Sequence, residues 1–404
     1  MTTASAEDRR VRPKDRKQRI LATAAELFRT SGYHSVSMSD IAAGVGIVPS
    51  ALYRHYRNKQ ELLVAVFDNA LSRYEETLAD CDDPFECVSR VVGIADDSQA
   101  MDQLWSRDRG HLRPADRALL RLRIVGVSES LEKAIAQGAG PAGVPSRVAA
   151  WAVLAIVNWP GHRPLPVPAG DRQRMMLTAV RAVVNACRGD GEEPHQWPAN
   201  GTVDESSPVP TEPATGLLPV ARREALLNAA ITMFAVDGYA NVSLDDIGEV
   251  VGIAGPSVYN HFASKRELLV CGVNRAFDAM WLELGRVLSQ TTDPAIALDM
   301  LVSGYARFAQ AHWDLIAVCL SHTVMLDPDE MMALARTYLD YVGEWRRLVQ
   351  LCRPELRADE AQTLVDLTLA VMDGVVRVDG LRGPELPGHA HRLAKAVLQA
   401  PLVT

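Results

Sequence analysis

The feature that most constrains this chain is that it contains the same segment twice. Laying Ile20 on Leu226 and running to Val64 on Val270 needs no gap, and about 19 of the roughly 45 aligned positions are identical. The matches include Gly32-Tyr33 with Gly238-Tyr239, Val45-Gly46-Ile47 with Val251-Gly252-Ile253, and Lys59-x-Glu61-Leu62-Leu63-Val64 with Lys265-x-Glu267-Leu268-Leu269-Val270. So long a period is too large for a solenoid unit and predicts two whole domains in tandem. Residues 189–219 lie between them, rich in Pro, Gly and acidic residues and poor in apolar ones, and read as a linker. About 30 flexible residues have an r.m.s. span near 30 Å, enough to leave the halves to choose their own docking.

Both copies carry the helical period. Ile20, Ala24, Leu27 and Phe28 recur at helical spacing, as do Leu226, Ala230, Met233 and Phe234. Longer apolar helical patterns follow at 151–159, 175–187, 298–309, 364–378 and 391–398, and β-like alternation is nearly absent. The expected fold class is all-α, two helical units in one chain. No apolar run reaches the roughly 18 residues that cross a bilayer, and the polar, Arg-rich opening shows no secretory signal, so a cytoplasmic chain with no membrane partner is expected. The six cysteines lack C-x-x-C pairing, which predicts reduced thiols and no metal site.

Within each copy the local signals follow one order. Gly32 and Gly238 stop a first helix where φ must turn positive. Ser37-x-x-Asp40 and Ser243-x-x-Asp246 match a capping box, placing a second helix at Met38 and Leu244 with Ile41 and Ile247 inward. Val45-Gly46-Ile47 and Val251-Gly252-Ile253 supply a tight turn, and a third short helix opens with Pro49 or Pro256 at or near its first position. These are helix–turn–helix units at about 37–56 and 243–262, whose third helix is expected to enter a major groove. Its outward residues would be Val48, Pro49, Ser50, Ala51, Tyr53, Arg54 and His55, then Ala254, Gly255, Pro256, Ser257, Tyr259, Asn260 and His261. Leu52, Tyr56, Val258 and Phe262 belong to the core.

The set Gly32-Tyr33, Asp40-Ile41-Ala42, Gly46-Ile47, Leu52-Tyr53-Arg54-His55-Tyr56 and Lys59-x-Glu61-Leu62, with its second-copy counterparts, resembles the DNA-binding domain of the TetR family of transcriptional regulators. The opening Arg-Pro-Lys-Asp-Arg-Lys and Ala-Leu-Tyr-Arg-His-Tyr are similar to tandem TetR repressors of actinobacterial lipid- and sterol-uptake operons. The resemblance implies that Ser37, Tyr53 and Lys59, and Ser243, Tyr259 and Lys265, contact phosphates. It implies further that the last two long helices of each half, near 147–160, 171–188, 360–379 and 389–400, form a four-helix interface. Because both heads are in one chain, that interface would make an intramolecular pseudo-dimer. The expected organisation is an arm at 1–13, a first reading head at 14–74, a helical body at 75–188, the linker, a second head at 220–280 and a second body at 281–404.

Charge divides the two heads. The net charge is −8, yet residues 9–64 hold about 11 basic residues against 4 acidic. Residues 215–270 hold about 4 against 6. Arg12, Lys14, Arg16 and Lys17 form an arm able to displace counterions, so the first head is expected to carry most of the affinity. Unequal heads predict an imperfect palindrome whose half-sites lie about 34–36 Å apart.

The second body is rich in aromatic and soft side chains, and Trp281, Tyr305, Phe308, His312, Trp313 and Met325 are the expected lining of an apolar pocket, with Trp105 the parallel candidate in the first. No catalytic or metal constellation is visible: Glu192-x-x-His195 lies in the linker, and there is no P-loop, no G-x-G-x-x-G and no G-x-S-x-G. No cofactor is expected. The reading is a non-enzymatic, sequence-specific regulator, a repressor of double-stranded operator DNA released by a small apolar or amphipathic effector. A ligand carrier with a degenerate head and an effector-independent architectural DNA binder are the alternatives.

Overall fold

In the computed structural model the described residues are 13–95, 101–189 and 220–402. Arg12 and nearly all of the expected linker lie outside them, as does the side chain of Lys14. The first half contains α1 (Pro13–Ser31), α2 (Met38–Val45), α3 (Pro49–Tyr53), α4 (Lys59–Leu78), α5 (Pro84–Gly93), α6 (Met101–Asp108), α7 (Pro114–Ala136), α8 (Ser146–His162) and α9 (Ala169–Arg188). The second contains α10 (Arg222–Asp237), α11 (Leu244–Val251), α12 (Gly255–Val258), α13 (Lys265–Gln290), α14 (Pro294–Ala311), α15 (Trp313–Ser321), α16 (Pro328–Cys352), α17 (Ala358–Val376) and α18 (Leu386–Gln399). Short 3-10 turns join some of these, and the described residues contain no strand. The chain is all-α and built from two like units.

In each unit a three-helix head rests on the start of a long helix. Ile20, Phe28, Ile41, Leu52 and Leu62 are completely buried in the first, and Leu226, Phe234, Ile247, Val258 and Leu268 in the second. The expected boundaries near 74 and 280 fall inside α4 and α13. Head and body are therefore joined by continuous helix.

The halves dock through α8 and α9 against α17 and α18. Ala150, Val153, Val157, Val180 and Val183 are buried there with Leu364, Leu367, Val371, Leu393 and Val397. At Gly374 the helices come so close that a Cβ would stand 2.2 Å from Ala155 Cβ, so only hydrogen fits. Arg357 reaches Asp171 at 3.3 Å across the rim, and the Arg163 guanidinium lies 3.3 Å from the centre of the Tyr338 ring.

One cysteine expectation is overturned. Cys81 and Cys87, with Cα atoms 5.7 Å apart at the start of α5, are joined as a disulfide. The pair escapes the sequence because the corner between α4 and α5, and no fixed spacing, brings the two together. Cys187, Cys271, Cys319 and Cys352 are unpaired thiols.

Candidate nucleic-acid interface

Both heads are organised by the same local chemistry. Ser37 Oγ accepts from Asp40 N (3.1 Å) while Asp40 Oδ2 accepts from Ser37 N (2.8 Å), closing the box that starts α2. Ser243 and Asp246 repeat it at α11. Those hydrogen bonds hold both aspartates below the usual carboxylate range. Gly46 (φ 77°) and Gly252 (φ 74°) then turn the chain in the left-handed region, where a side chain is strained, and α3 or α12 follows at once. Pro49 opens α3, while Pro256 is the second residue of α12 behind Gly255.

The short third helices face outward as their residues suggest. Val48 is 64% exposed, Tyr53 52% and Tyr259 59%, with Leu52, Tyr56, Val258 and Phe262 buried beneath them. Pro49, Ser50, Arg54 and His55 are exposed on the first head with Ala51 partly covered; Ala254, Pro256 and Asn260 are exposed on the second, with Gly255, Ser257 and His261 partly covered. Ser37, Ser243, Arg16 and Lys17 are exposed as well.

Two expected phosphate contacts, Lys59 and Lys265, make hydrogen bonds within their own heads. Lys59 Nζ donates to Tyr33 O (2.6 Å) and Val36 O (2.9 Å), and Lys265 Nζ donates to Tyr239 O (2.5 Å) and Val242 O (2.7 Å). Each ammonium also stands 4.3 Å from the centre of that tyrosine ring. The lysines tie the loop after the first helix to the start of α4 or α13, and burial lowers both pKa values. Both ammonium groups thereby help to position the heads.

Two arginines of the second head are likewise engaged within the protein. Arg223 donates to His261 O (2.8 Å) and stacks over Phe262 at 4.0 Å, and Arg266 is paired with Asp327 and Glu330. Asp245 lies against Gly255, at the position where the first head has Ser39, and brings negative charge to the opening of α12. On the first head Arg16, Lys17, Arg54 and Arg57 are exposed.

The segment that follows the expected ligand residue Trp105 grips both heads. Arg107, buried with its partner Asp108, donates to Arg29 O (3.1 Å) and to Phe28 O at the end of α1. Two residues on, Arg109 donates to Ala235 O and Val236 O, both at 2.8 Å, at the end of α10. His111 stacks on Tyr33 with ring centres 4.7 Å apart, and Gly110 packs against Asn241 where no Cβ would fit. Burial, then the charges of His34, Lys59 and Arg107, pushes the His111 pKa down to about 4. From the second half, His322 Nε2 lies 3.0 Å from Phe234 O. Arginines satisfying the last carbonyls of a helix are a familiar C-terminal cap. The sequence shows two arginines here but not which helices they reach.

Behind these clamps lies a cavity of about 1100 Å³ between the halves. Its wall combines Trp105, Ile124, Trp151 and Leu154 of the first half with Trp313, Ala317, His322 and Val378 of the second, and the end of α10 at Ala235, Val236 and Asp237. Of the expected ligand residues, Trp105 and Trp313 line it. Trp281, Tyr305, Phe308, His312 and Met325 do not. Tyr305 is buried with its hydroxyl 2.8 Å from Asp373 Oδ1 and its ring edge-on to Trp345, and Trp281 packs on Tyr341. The aromatic-rich half packs those rings in its own core, and the cavity lies on the seam that both halves line.

The heads match known proteins. Residues 20–66 and 226–270 each fit the family model of bacterial regulatory proteins, tetR family. Similar curated proteins include the HTH-type transcriptional activator FasR of Mycolicibacterium smegmatis, 33% identical over 89 residues that make up 22% of this chain and 41% of that protein. The HTH-type transcriptional repressor KstR2 of the same organism is 33% identical over 82 residues, 20% of this chain and 40% of its own length. This chain thus spans about two fifths of these relatives. A solved structure, the ketosteroid transcriptional regulator KstR2 of Mycobacterium tuberculosis, is 21% identical with a TM-score of 0.41, covering 48% of this chain and 97% of that one.

Proposed function

Because this chain carries two tetR-family domains in tandem, we propose that it is a sequence-specific DNA-binding transcriptional regulator in which one polypeptide supplies both reading heads. The observation that carries this reading is the pair of exposed third helices, each set on a capped second helix and a left-handed glycine. α3 would present Val48, Pro49, Ser50, Ala51, Tyr53, Arg54 and His55 to one half-site, with Arg12, Lys14, Arg16, Lys17 and Ser37 on the phosphates. α12 would present Ala254, Gly255, Pro256, Ser257, Tyr259, Asn260 and His261 to the other, with Ser243 on the backbone. Charge makes the first head the tighter one. Bound over a promoter, a cytoplasmic protein of this kind occludes polymerase, so repression is its proposed sense.

Release follows from the cavity. A small apolar or amphipathic molecule between the halves would touch Arg109 and His322, which hold the end of α10, and would favour one orientation of the heads over another.

Mobility shift on the DNA upstream of the protein's own gene, with a salt titration, tests the reading. Specific retardation is expected, with log K falling linearly in log salt, and footprinting should protect two unequal half-sites. No retardation at low ionic strength overturns it and leaves a ligand carrier. Protection of a single half-site removes the two-headed arrangement.

A further inference from the structure

The cavity between the halves has one polar corner whose groups are unmet. His322 is 1% exposed, and its Nε2 lies 3.0 Å from Phe234 O. A carbonyl oxygen only accepts, so Nε2 carries the proton and Nδ1 presents a bare lone pair. Among the described residues Nδ1 has no hydrogen-bond partner, and neither has the adjacent Ser321 Oγ, itself 3% exposed. Both residues line the cavity. Adding a proton does not relieve the corner, since burial holds the imidazole pKa down to about 4. Two buried polar groups left unpaired in residues that line a roomy cavity call for an external partner.

The remaining wall fixes what that partner is. Trp105, Ile124, Trp151, Leu154, Trp313 and Val378 are apolar. The cavity's arginines are opposed by Glu129, Glu132, Asp237 and Asp379, so the wall gives no single-sign field to attract an ion. Nδ1 can only accept, which demands a donor on the ligand; Ser321 can donate in return.

We propose that the cavity binds a neutral, largely apolar molecule bearing a hydroxyl, with the O–H donated to His322 Nδ1 and the hydroxyl oxygen accepting from Ser321 Oγ. The inference rests on the effector reading above and names the chemical class for that cavity. It also gives the hydroxyl a mechanical position. The imidazole that receives it holds Phe234 O by its other nitrogen, at the end of the first helix of the second head.

The test reads ligand binding without DNA. Cyclooctanol, cyclododecanol and cyclopentadecanol, each paired with its methyl ether, are titrated into the full-length protein, with the cavity tryptophans Trp105, Trp151 and Trp313 reporting by fluorescence. At least one alcohol is expected to bind about 5-fold tighter than its ether, the scale of one hydrogen bond. His322→Gln keeps a donor for Phe234 O and removes the acceptor at the Nδ1 position; Ser321→Ala removes the hydroxyl. In His322→Gln the alcohol preference should fall toward unity while the ether binds as before; in Ser321→Ala alcohol and ether should weaken together, since either oxygen accepts from Ser321 Oγ, each a comparison internal to a folded variant. Equal binding of alcohol and ether to the parent protein overturns the proposal. So does a preference that survives His322→Gln, or no saturable binding by any of the six probes. An operator that fails to shift while the alcohol preference stands would remove the regulator reading and leave this one in place.

Discussion

Lys59 donates a hydrogen bond to the main-chain carbonyl of Tyr33 at 2.6 Å while its ammonium lies 4.3 Å from the centre of the same tyrosine's ring, and Lys265 does the same to Tyr239. The lysine is thereby a strut inside the head. Lys59→Gln should lower stability by about 1–2 kcal/mol, reduced by its partial exposure, and should weaken operator binding with an unchanged salt slope. Arg54→Ala, by contrast, should reduce the slope of log K against log salt by about 1 if Arg54 meets a phosphate. Thermal melts and anisotropy at several salt concentrations check both; a slope that drops for Lys59→Gln returns that residue to the DNA surface.

Asp245 places a carboxylate beside Gly255 at the opening of α12, where the first head has Ser39. Near DNA phosphates that charge is repulsive and raises the cost of seating the second head. Asp245→Ser should tighten operator binding by roughly 3-fold at low salt, with the gain shrinking as salt rises. An affinity unchanged at every ionic strength would show that the second head stands away from the duplex.

Arg109 holds Ala235 O and Val236 O from the other half of the molecule. Arg109→Ala leaves two carbonyls at the end of α10 without that donor, and a cost of about 1–3 kcal/mol is expected for charged hydrogen bonds of this kind. Hydrogen exchange should quicken in residues 222–262 more than in 20–56. Equal quickening in both heads would mean that the segment stabilises the molecule as a whole and does not hold the second head in particular.

Asp373 lies buried in α17 and accepts from the Tyr305 hydroxyl, and burial pushes its carboxyl pKa up to about 7. The ordinary value is near 4, so between about pH 4 and pH 7 the folded chain keeps a proton that the unfolded chain has lost. This group therefore lowers stability as pH rises through that window, and Asp366, also pushed up to about 7, acts in the same direction. His322 and His111, both pushed down to about 4, act oppositely below about pH 6.5, where folding excludes a proton that the unfolded imidazole binds. In Asp373→Asn the fall in Tm from pH 5 to pH 8 should be smaller than in the parent chain. An unchanged difference would place the Asp373 titration outside that range.

Much of the heads was legible because their signals are local. Ser37, Asp40, Gly46 and Pro49 act within a few residues of themselves, so a capped helix, a left-handed turn and a new helix start could be read in order. A positive charge beside a recognition helix reads as a phosphate contact, and the internal ties of Lys59 were not legible because only the folded position of the Tyr33 and Val36 carbonyls shows where its protons go. The cavity was sought where aromatic residues are dense, yet density of large rings is what fills a core. Tyr305, Tyr341 and Trp345 pack on one another in the second body, while Trp105 and Trp313 come from different halves and line one cavity only because the halves dock.

The sequence by itself determined the duplication, the helical class, the caps and turns of both heads and their unequal charge, because each is set by residue type and by spacing along the chain. The tertiary structure decided the clamp from Arg107 to His111, the ties made by Lys59 and Lys265, the pairing of Cys81 with Cys87 and the shared cavity. These depend on which carbonyls, rings and walls are brought together by packing residues distant in sequence, and hydrophobic burial, being non-directional, drives that docking without recording its partners in the order of the residues.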